Sequence, residues 1–129
     1  MESRLVVLSR GPELYSTRRL VRESEDIGLA VRVIDPLTLT LVVEQDGGKI
    51  LHGGWPVECD AILPRIGYSI TRRGVAVVRQ FEQKGVIVVN PSESILNSRD
   101  KLVACQMMVN DKVPVPITAH VGAWEDTGR

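Results

Sequence analysis

The sequence predicts an α/β fold: an open, mainly parallel sheet with helices on both faces, carrying a β-hairpin excursion. Short apolar runs that end in turn residues alternate along the chain with longer segments whose apolar residues recur at helical spacing. Such alternation is typical of parallel sheets built from βαβ units. One segment departs from it, because two extended runs there are joined at Asp46-Gly47, which is a strong hairpin signal.

The first βαβ unit occupies the N-terminal quarter of the chain. Residues 5–8 are the run Leu-Val-Val-Leu, which predicts a buried strand, and residues 14–27 carry apolar side chains on one helical face. Gly28 stands where a helix ends, and residues 29–34 predict the second strand. The crossover that joins two such parallel strands is right-handed.

The hairpin follows the second strand. Residues 37–44 and 49–52 are its two extended arms, and residues 45–48 form the turn between them. Gly47-Gly48-Lys49 is not a phosphate-binding loop, because that loop needs glycines at wider spacing and a helix after them. Residues 53–56 are interpreted as the connection that leads back to the sheet.

The rest of the chain returns to alternating strands and helices. We expect, in order, a strand at 61–63, a helix at 69–84, a strand at 86–89, helices at 92–97 and 99–110, and a strand at 117–121. Ser92 is interpreted as the residue that caps the helix beginning there.

Two arginines stand at the ends of predicted strands. Arg10 comes after the first strand and Arg65 after the third, inside Pro64-Arg65-Ile66-Gly67. Ligands of open parallel sheets bind beyond the carboxyl ends of the strands, and guanidinium groups suit carboxylates and phosphates. Alternatively, Arg65 pairs with a carboxylate and only ties a loop down. The pattern alone therefore predicts an α/β domain with an anion-binding edge.

Composition excludes several classes of function. The 16 basic and 16 acidic residues balance, so no net charge favours nucleic acid or an anionic membrane as a partner. No apolar stretch reaches the length of a membrane span, and the N-terminus lacks a signal-peptide pattern, so we expect a cytoplasmic protein. Cys59 and Cys105 are expected to be reduced thiols, and His52 and His120 do not form a zinc pattern.

Sequence motifs of self-contained enzymes are absent. The chain has no G-x-G-x-x-G after the first strand, no Walker loop, no nucleophile elbow and no Cys–His pair at catalytic spacing. From the residues alone, a self-contained enzyme is therefore the weaker hypothesis.

A series of short motifs along the chain nevertheless resembles the RimK-type ATP-grasp ligases, and specifically their N-terminal pre-ATP-grasp portion. The motifs occur in the same order as in the family, over nearly the whole chain: Leu8-Ser9-Arg10, Leu14-Tyr15-Ser16, Asp35-Pro36-Leu37, the stretch 60–67, Arg79-Gln80-Phe81-Glu82, Asn90-Pro91-Ser92 and Ser98-Arg99-Asp100-Lys101.

The resemblance implies a domain organisation. Residues 1–97 would form the Rossmann-like pre-ATP-grasp domain, and residues 98–129 a linker helix and the beginning of an otherwise absent ATP-grasp domain. The glycine-rich lid and the acidic magnesium ligands of that fold are not in the sequence. We therefore expect an N-terminal piece of a longer ligase that uses ATP and Mg²⁺. The piece itself is expected to be inactive and to bind neither of them tightly.

The resemblance also implies a reaction and its partners. Such ligases join glutamate or a similar amino acid to a carboxylate through an acyl phosphate. The acceptor is a protein, most typically a ribosomal protein, or a small molecule with a carboxylate. A homo-oligomer is a further expectation. The alternative of a different class is a non-catalytic binding or interaction module that keeps only the fold.

Residue roles follow from the resemblance only at positions where this chain contains the family's motifs. No catalytic residue and no metal ligand is assigned. Lys101 matches the position of a lysine that contacts nucleotide phosphate, although an ordinary surface lysine of a helix is the alternative. The predicted substrate-binding residues are Ser9, Arg10, Arg65, Gly67 and Asn90.

Overall fold

The computed structural model describes residues 2–123, which form seven strands and four helices. The strands are β1 (Arg4–Leu8), β2 (Ala30–Ile34), β3 (Leu39–Val42), β4 (Lys49–His52), β5 (Trp55–Pro56), β6 (Ala61–Pro64) and β7 (Ile87–Val88). The helices are α1 (Tyr15–Asp26), α2 (Thr71–Gln83), α3 (Ser92–Arg99) and α4 (Lys101–Asn110). Residues 124–129, the end of the segment predicted to begin a second domain, lie outside the described residues.

The main sheet has four parallel strands in the order β2-β1-β6-β7, which confirms the predicted parallel sheet. The chain first builds outward from β1 to β2 and later outward from β6 to β7, in the opposite direction. Two right-handed crossovers that run in opposite directions place their helices on opposite faces of the sheet. The sheet therefore changes direction between its two central strands, β1 and β6.

Burial on both faces of β1 agrees with that arrangement. Val6 and Leu8 belong to the main core cluster, together with Ile62 of β6 and with Val77, Val78 and Phe81 of α2. Leu5 and Val7 are also buried but lie outside this cluster, since successive side chains of a strand point to opposite faces. The apolar run of β1 is thus that of a strand covered on both sides.

The predicted hairpin is confirmed, and the structure adds a third strand to it. Strands β3 and β4 pair antiparallel, and β5 pairs with β4, although the sequence analysis interpreted residues 53–56 as a connection. Helix α2 fastens this small sheet to the domain. The Arg73 guanidinium donates to the Leu39 carbonyl, and the Gln80 amide donates to the Val42 carbonyl at 2.9 Å.

Two predictions for the C-terminal third were wrong. Residues 117–121 form no strand in the described part of the chain. Pro114 and Pro116 lack the N–H groups that a ladder needs, and Ile117 is fully exposed, at 106% of its reference area. Ser92 does not cap α3 either: Pro91 is the N-cap residue, and the Ser92 hydroxyl donates to Glu82.

Candidate functional site

A pocket of about 320 Å³ opens at the carboxyl ends of β1 and β6. Its walls come from the loop after β1, the first turn of α1, the loop after β6 and the C-terminal half of α3. The lining residues are Ser9, Leu14, Ser16, Thr17, Pro64, Arg65, Ile66, Gly67, Ile95, Ser98 and Arg99. Because β1 and β6 are the strands between which the sheet changes direction, this is the topological switch point where ligands of open α/β sheets bind.

Arg65 reaches this pocket from a fixed backbone. Its N–H group donates to the Leu8 carbonyl at 2.8 Å, which extends the β1–β6 pairing by one residue beyond the strand. The Arg65 side chain is exposed, and no carboxylate among residues 2–123 lies within 4.0 Å of it. In this part of the chain, Arg65 therefore has no ion-pair partner that would tie a loop down.

Arg99 brings a second guanidinium group to the same pocket from the last turn of α3. It donates to the Ile66 carbonyl, so α3 is joined to the loop that carries Arg65. Neither Asp nor Glu is among the residues that line the pocket. Two cations with no carboxylate within 4.0 Å in the described range suit an anionic ligand, and guanidinium groups bind carboxylates and phosphates with two parallel hydrogen bonds.

Ser9 shapes the wall between the pocket and α1. The side chain is buried, at 4% exposure, and its hydroxyl lies 3.1 Å from the Thr17 hydroxyl. The same oxygen accepts from the N–H of Gly11 at 3.1 Å. These contacts hold the turn after β1 against the first turns of α1, so the Ser9 hydroxyl already has protein partners.

The structure brings together three of the residues predicted from the sequence. Ser9, Arg65 and Gly67 line the pocket, whereas Arg10, Asn90 and Lys101 do not. Arg10 and Asn90 are exposed in the loops after β1 and β7, and Lys101 is the exposed first residue of α4. The assignment of these residues to substrate or nucleotide stays a prediction.

The sequence analysis missed four polar residues of the pocket: Ser16, Thr17, Ser98 and Arg99. Arg99 is 33 positions from Ile66, whose carbonyl it contacts, so the contact depends on how α3 packs. Ser16, Ser98 and Arg99 could have been found from their positions within the motifs that resemble the family.

Cys59 is a thiol outside the pocket, and its environment disfavours the thiolate. Burial is the main cause that raises its pKa to about 11, and the negative charge of Asp60 adds to the effect. No group of three or more His, Cys, Asp or Glu side chains within residues 2–123 is arranged to hold a metal ion. Residues 2–123 also contain no helix that is long and apolar enough to cross a membrane.

Comparison with known proteins identifies the family. The family described as the RimK PreATP-grasp domain matches residues 3–95, which is most of the chain. The chain belongs to the RimK pre-ATP-grasp family.

Two relatives of this RimK pre-ATP-grasp chain are each named "Probable alpha-L-glutamate ligase". The protein from Xanthomonas campestris pv. campestris (strain B100) is 42% identical over 125 residues, which cover 96% of this chain and 43% of the relative. The protein from Stenotrophomonas maltophilia (strain K279a) is 44% identical with the same coverage. The chain thus spans less than half the length of these curated relatives.

A solved structure has the same fold. This chain superimposes on the structure of the ATP-grasp ligase PsnB complexed with minimal precursor. The TM-score is 0.66, and the sequence identity is 20%. The similarity covers 90% of this chain and 45% of PsnB. The α/β fold predicted from the sequence is therefore confirmed.

Proposed function

We propose that the chain is the substrate-side domain of an ATP-dependent carboxylate–amine ligase that adds glutamate or a similar amino acid to a carboxylate. One observation carries the proposal: Arg65 and Arg99 line a pocket at the switch point of the sheet, and no carboxylate of the described chain neutralises either of them. The names of the two relatives agree with this class of reaction.

In this proposal the two arginines hold the acceptor carboxylate. The carboxylate oxygen attacks the γ-phosphorus of ATP, ADP leaves, and an acyl phosphate forms. The amine of the incoming amino acid then attacks the acyl carbon, the bond from that carbon to the phosphate oxygen breaks, and phosphate leaves as the nitrogen loses a proton. The carboxylate, the acyl phosphate and the tetrahedral intermediate each bear negative charge, so guanidinium groups beside them favour all three.

Magnesium and most of the nucleotide site belong, in this proposal, to a part of a longer protein. Residues 2–123 do not supply a cluster of acidic groups that fits Mg²⁺. Lys101, the first residue of α4, is the one residue of this chain that we propose for nucleotide phosphate.

Helix α4 supports a division of the chain into a domain at 1–97 and the start of a second domain at 98–129. Most residues of its sequence, KLVACQMMVN, are apolar and are spread around the helix, yet none is buried, and its main neighbour is α3. A helix that is apolar all round is normally buried in the complete protein. The relatives, of which this chain covers 43%, have room for the domain that would cover it.

We further propose that the acceptor is the C-terminal carboxylate of a protein, as in modification of a ribosomal protein in the cytoplasm. The support is the RimK family match, with a pocket that is open to the surface rather than enclosed. A small-molecule carboxylate is the competing acceptor.

A hybrid enzyme tests the proposal. In it, this chain replaces the matching 43% of the Xanthomonas campestris relative, and the unaltered relative serves as the positive control. With ATP, Mg²⁺, glutamate and either a ribosomal-protein C-terminal peptide or N-acetyl-L-glutamate as acceptor, the hybrid should release phosphate and form the amide. The 129 residues alone should do neither. An active parent with an inactive but folded hybrid would contradict the proposal and favour a binding module.

A further inference from the structure

Glu82 makes a double contact with the start of α3. Its carboxylate accepts from the backbone N–H of Ser92 at 2.7 Å with one oxygen and from the Ser92 hydroxyl at 2.6 Å with the other. Glu82 lies on α2, and Ser92 is buried, at 6% exposure. The contact therefore fastens the first residue of α3 to the core helix of the domain.

The other end of α3 is the pocket. Arg99 is the last residue of this helix, and Ile95 and Ser98 line the pocket with it. The helix has eight residues, so about 10 Å separate its first and last residues along the axis. A short helix held at its first residue by Glu82, and at its last by the bond from Arg99 to Ile66, has both ends fixed.

We propose that Glu82 is a positioning residue for the arginine pocket: by holding Ser92 it sets where α3 ends and thereby where the Arg99 guanidinium stands. The inference rests on the proposed function, since it assigns the pocket to an anionic acceptor. The Glu82 carboxylate has no cation within 4.0 Å in the described chain, so its contact with Ser92 is the role that the geometry gives it.

The test uses the ¹⁵N-labelled 129-residue chain and two NMR readouts. The first is the heteronuclear NOE of the Arg99 side-chain Nε–H, which reports whether this side chain is ordered. The second is a titration with N-acetyl-L-glutamate, followed at the backbone amides of the pocket. Thermal unfolding shows that each variant is folded.

Glu82→Ala should leave Arg99 mobile and raise the dissociation constant about tenfold, the order of one lost charge-assisted contact. Glu82→Gln should behave nearly as the original chain, because its carbonyl oxygen accepts from the Ser92 N–H and its NH₂ donates to the Ser92 hydroxyl. Glu93→Ala is the matched control, since it removes an exposed carboxylate from the first turn of α3. If Glu82→Ala does not fold, Ser92→Ala loses only the hydroxyl contact and should show the same two changes to a smaller degree.

A double-mutant cycle with Arg99→Ala separates positioning from general stability. Glu82→Ala should weaken binding little further when Arg99 is already absent, because the effect passes through that side chain. An ordered Arg99 in folded Glu82→Ala, or an equal loss of affinity with and without Arg99, would overturn the inference. If the original chain and Arg65→Ala bind N-acetyl-L-glutamate equally, the pocket is not the acceptor site. The NOE of Arg99 would still decide the role of Glu82.

Discussion

Arg65 and Cys59 lie at opposite ends of the strand β6 region and have opposite environments. Arg65 follows the strand, is exposed, and has no carboxylate partner in the described chain. Cys59 precedes the strand and is half-buried beside Asp60, where the pKa of its thiol rises to about 11. The first residue is suited to meet an anion from solvent, and the second is unsuited to act as a nucleophile near neutral pH.

Cys59 should react slowly with iodoacetamide. At pH 8 a thiol with a pKa near 11 has about a hundredfold less thiolate than one at the reference value of 9.0, and only the thiolate is alkylated. We expect slow labelling that accelerates as the pH rises toward 11, measured by mass spectrometry of the Cys59 peptide. The control is the same chain in denaturant, where the environment of Cys59 is lost. Equal rates in the folded and unfolded chain at pH 8 would contradict this account.

Among the elements, α2 carries the tightest packing that bears on the pocket. A Cβ atom built on Gly74 would overlap the side chain of Ile66, which is buried and belongs to the main core cluster. The Ile66 carbonyl is also the acceptor for Arg99. Glycine at position 74 thus lets α2 approach the loop that carries Arg65.

Gly74→Ala should lower the free energy of unfolding. Alanine ordinarily favours a helix over glycine by about 1 kcal/mol, but overpacking a core costs about 1–3 kcal/mol, and here the overlapping atoms belong to a buried side chain. The expected net effect is a loss of about 1–2 kcal/mol, measured by urea denaturation. Gly67→Ala is the control, because a Cβ there meets nothing within 4 Å and the φ of −69° suits alanine. A Gly74→Ala variant at least as stable as the original chain would contradict the packing argument.

The elements also show what the sequence could predict and what it could not. The strands β1, β2 and β6 and the hairpin were predictable, because their apolar runs end at turn residues that act locally. Arg65 was predicted for the site because it stands at the end of a strand, whereas Ser9 was predicted only from the family resemblance. Arg99 was missed and Ser92 was misassigned for one reason: both depend on how α3 packs against α2 and the β6 loop, which no local pattern encodes.

At the scale of the whole molecule, α4 is the surface whose exposure the described chain explains least. Met107 and Val109 are exposed on a helix whose composition is that of a buried one. Contiguous exposed apolar surface promotes association. The same surface that we assign to contact with a second domain should therefore bind another copy when that domain is absent.

The 129-residue chain should self-associate at micromolar to millimolar concentration, as measured by sedimentation velocity. The double variant Met107→Glu, Val109→Glu should remain monomeric over that range, because it places charge on two different sides of α4 that expose apolar side chains. Val43→Glu is the control, since Val43 is 84% exposed and follows β3 of the hairpin rather than belonging to α4. A chain that is monomeric throughout, or variants that all associate equally, would remove α4 as an interface.

Whether Arg65 binds the acceptor carboxylate is tested most directly by the acceptor KM of the hybrid ligase with Arg65→Ala. Losing a charge-assisted contact to a carboxylate should raise that KM about 10- to 100-fold, while the KM for ATP and the melting temperature stay as they are. Arg22→Ala is the matched control, since Arg22 is an exposed arginine of α1 that does not line the pocket. If Arg65→Ala keeps the same acceptor KM as Arg22→Ala, or changes only the melting temperature, the pocket is not the acceptor site.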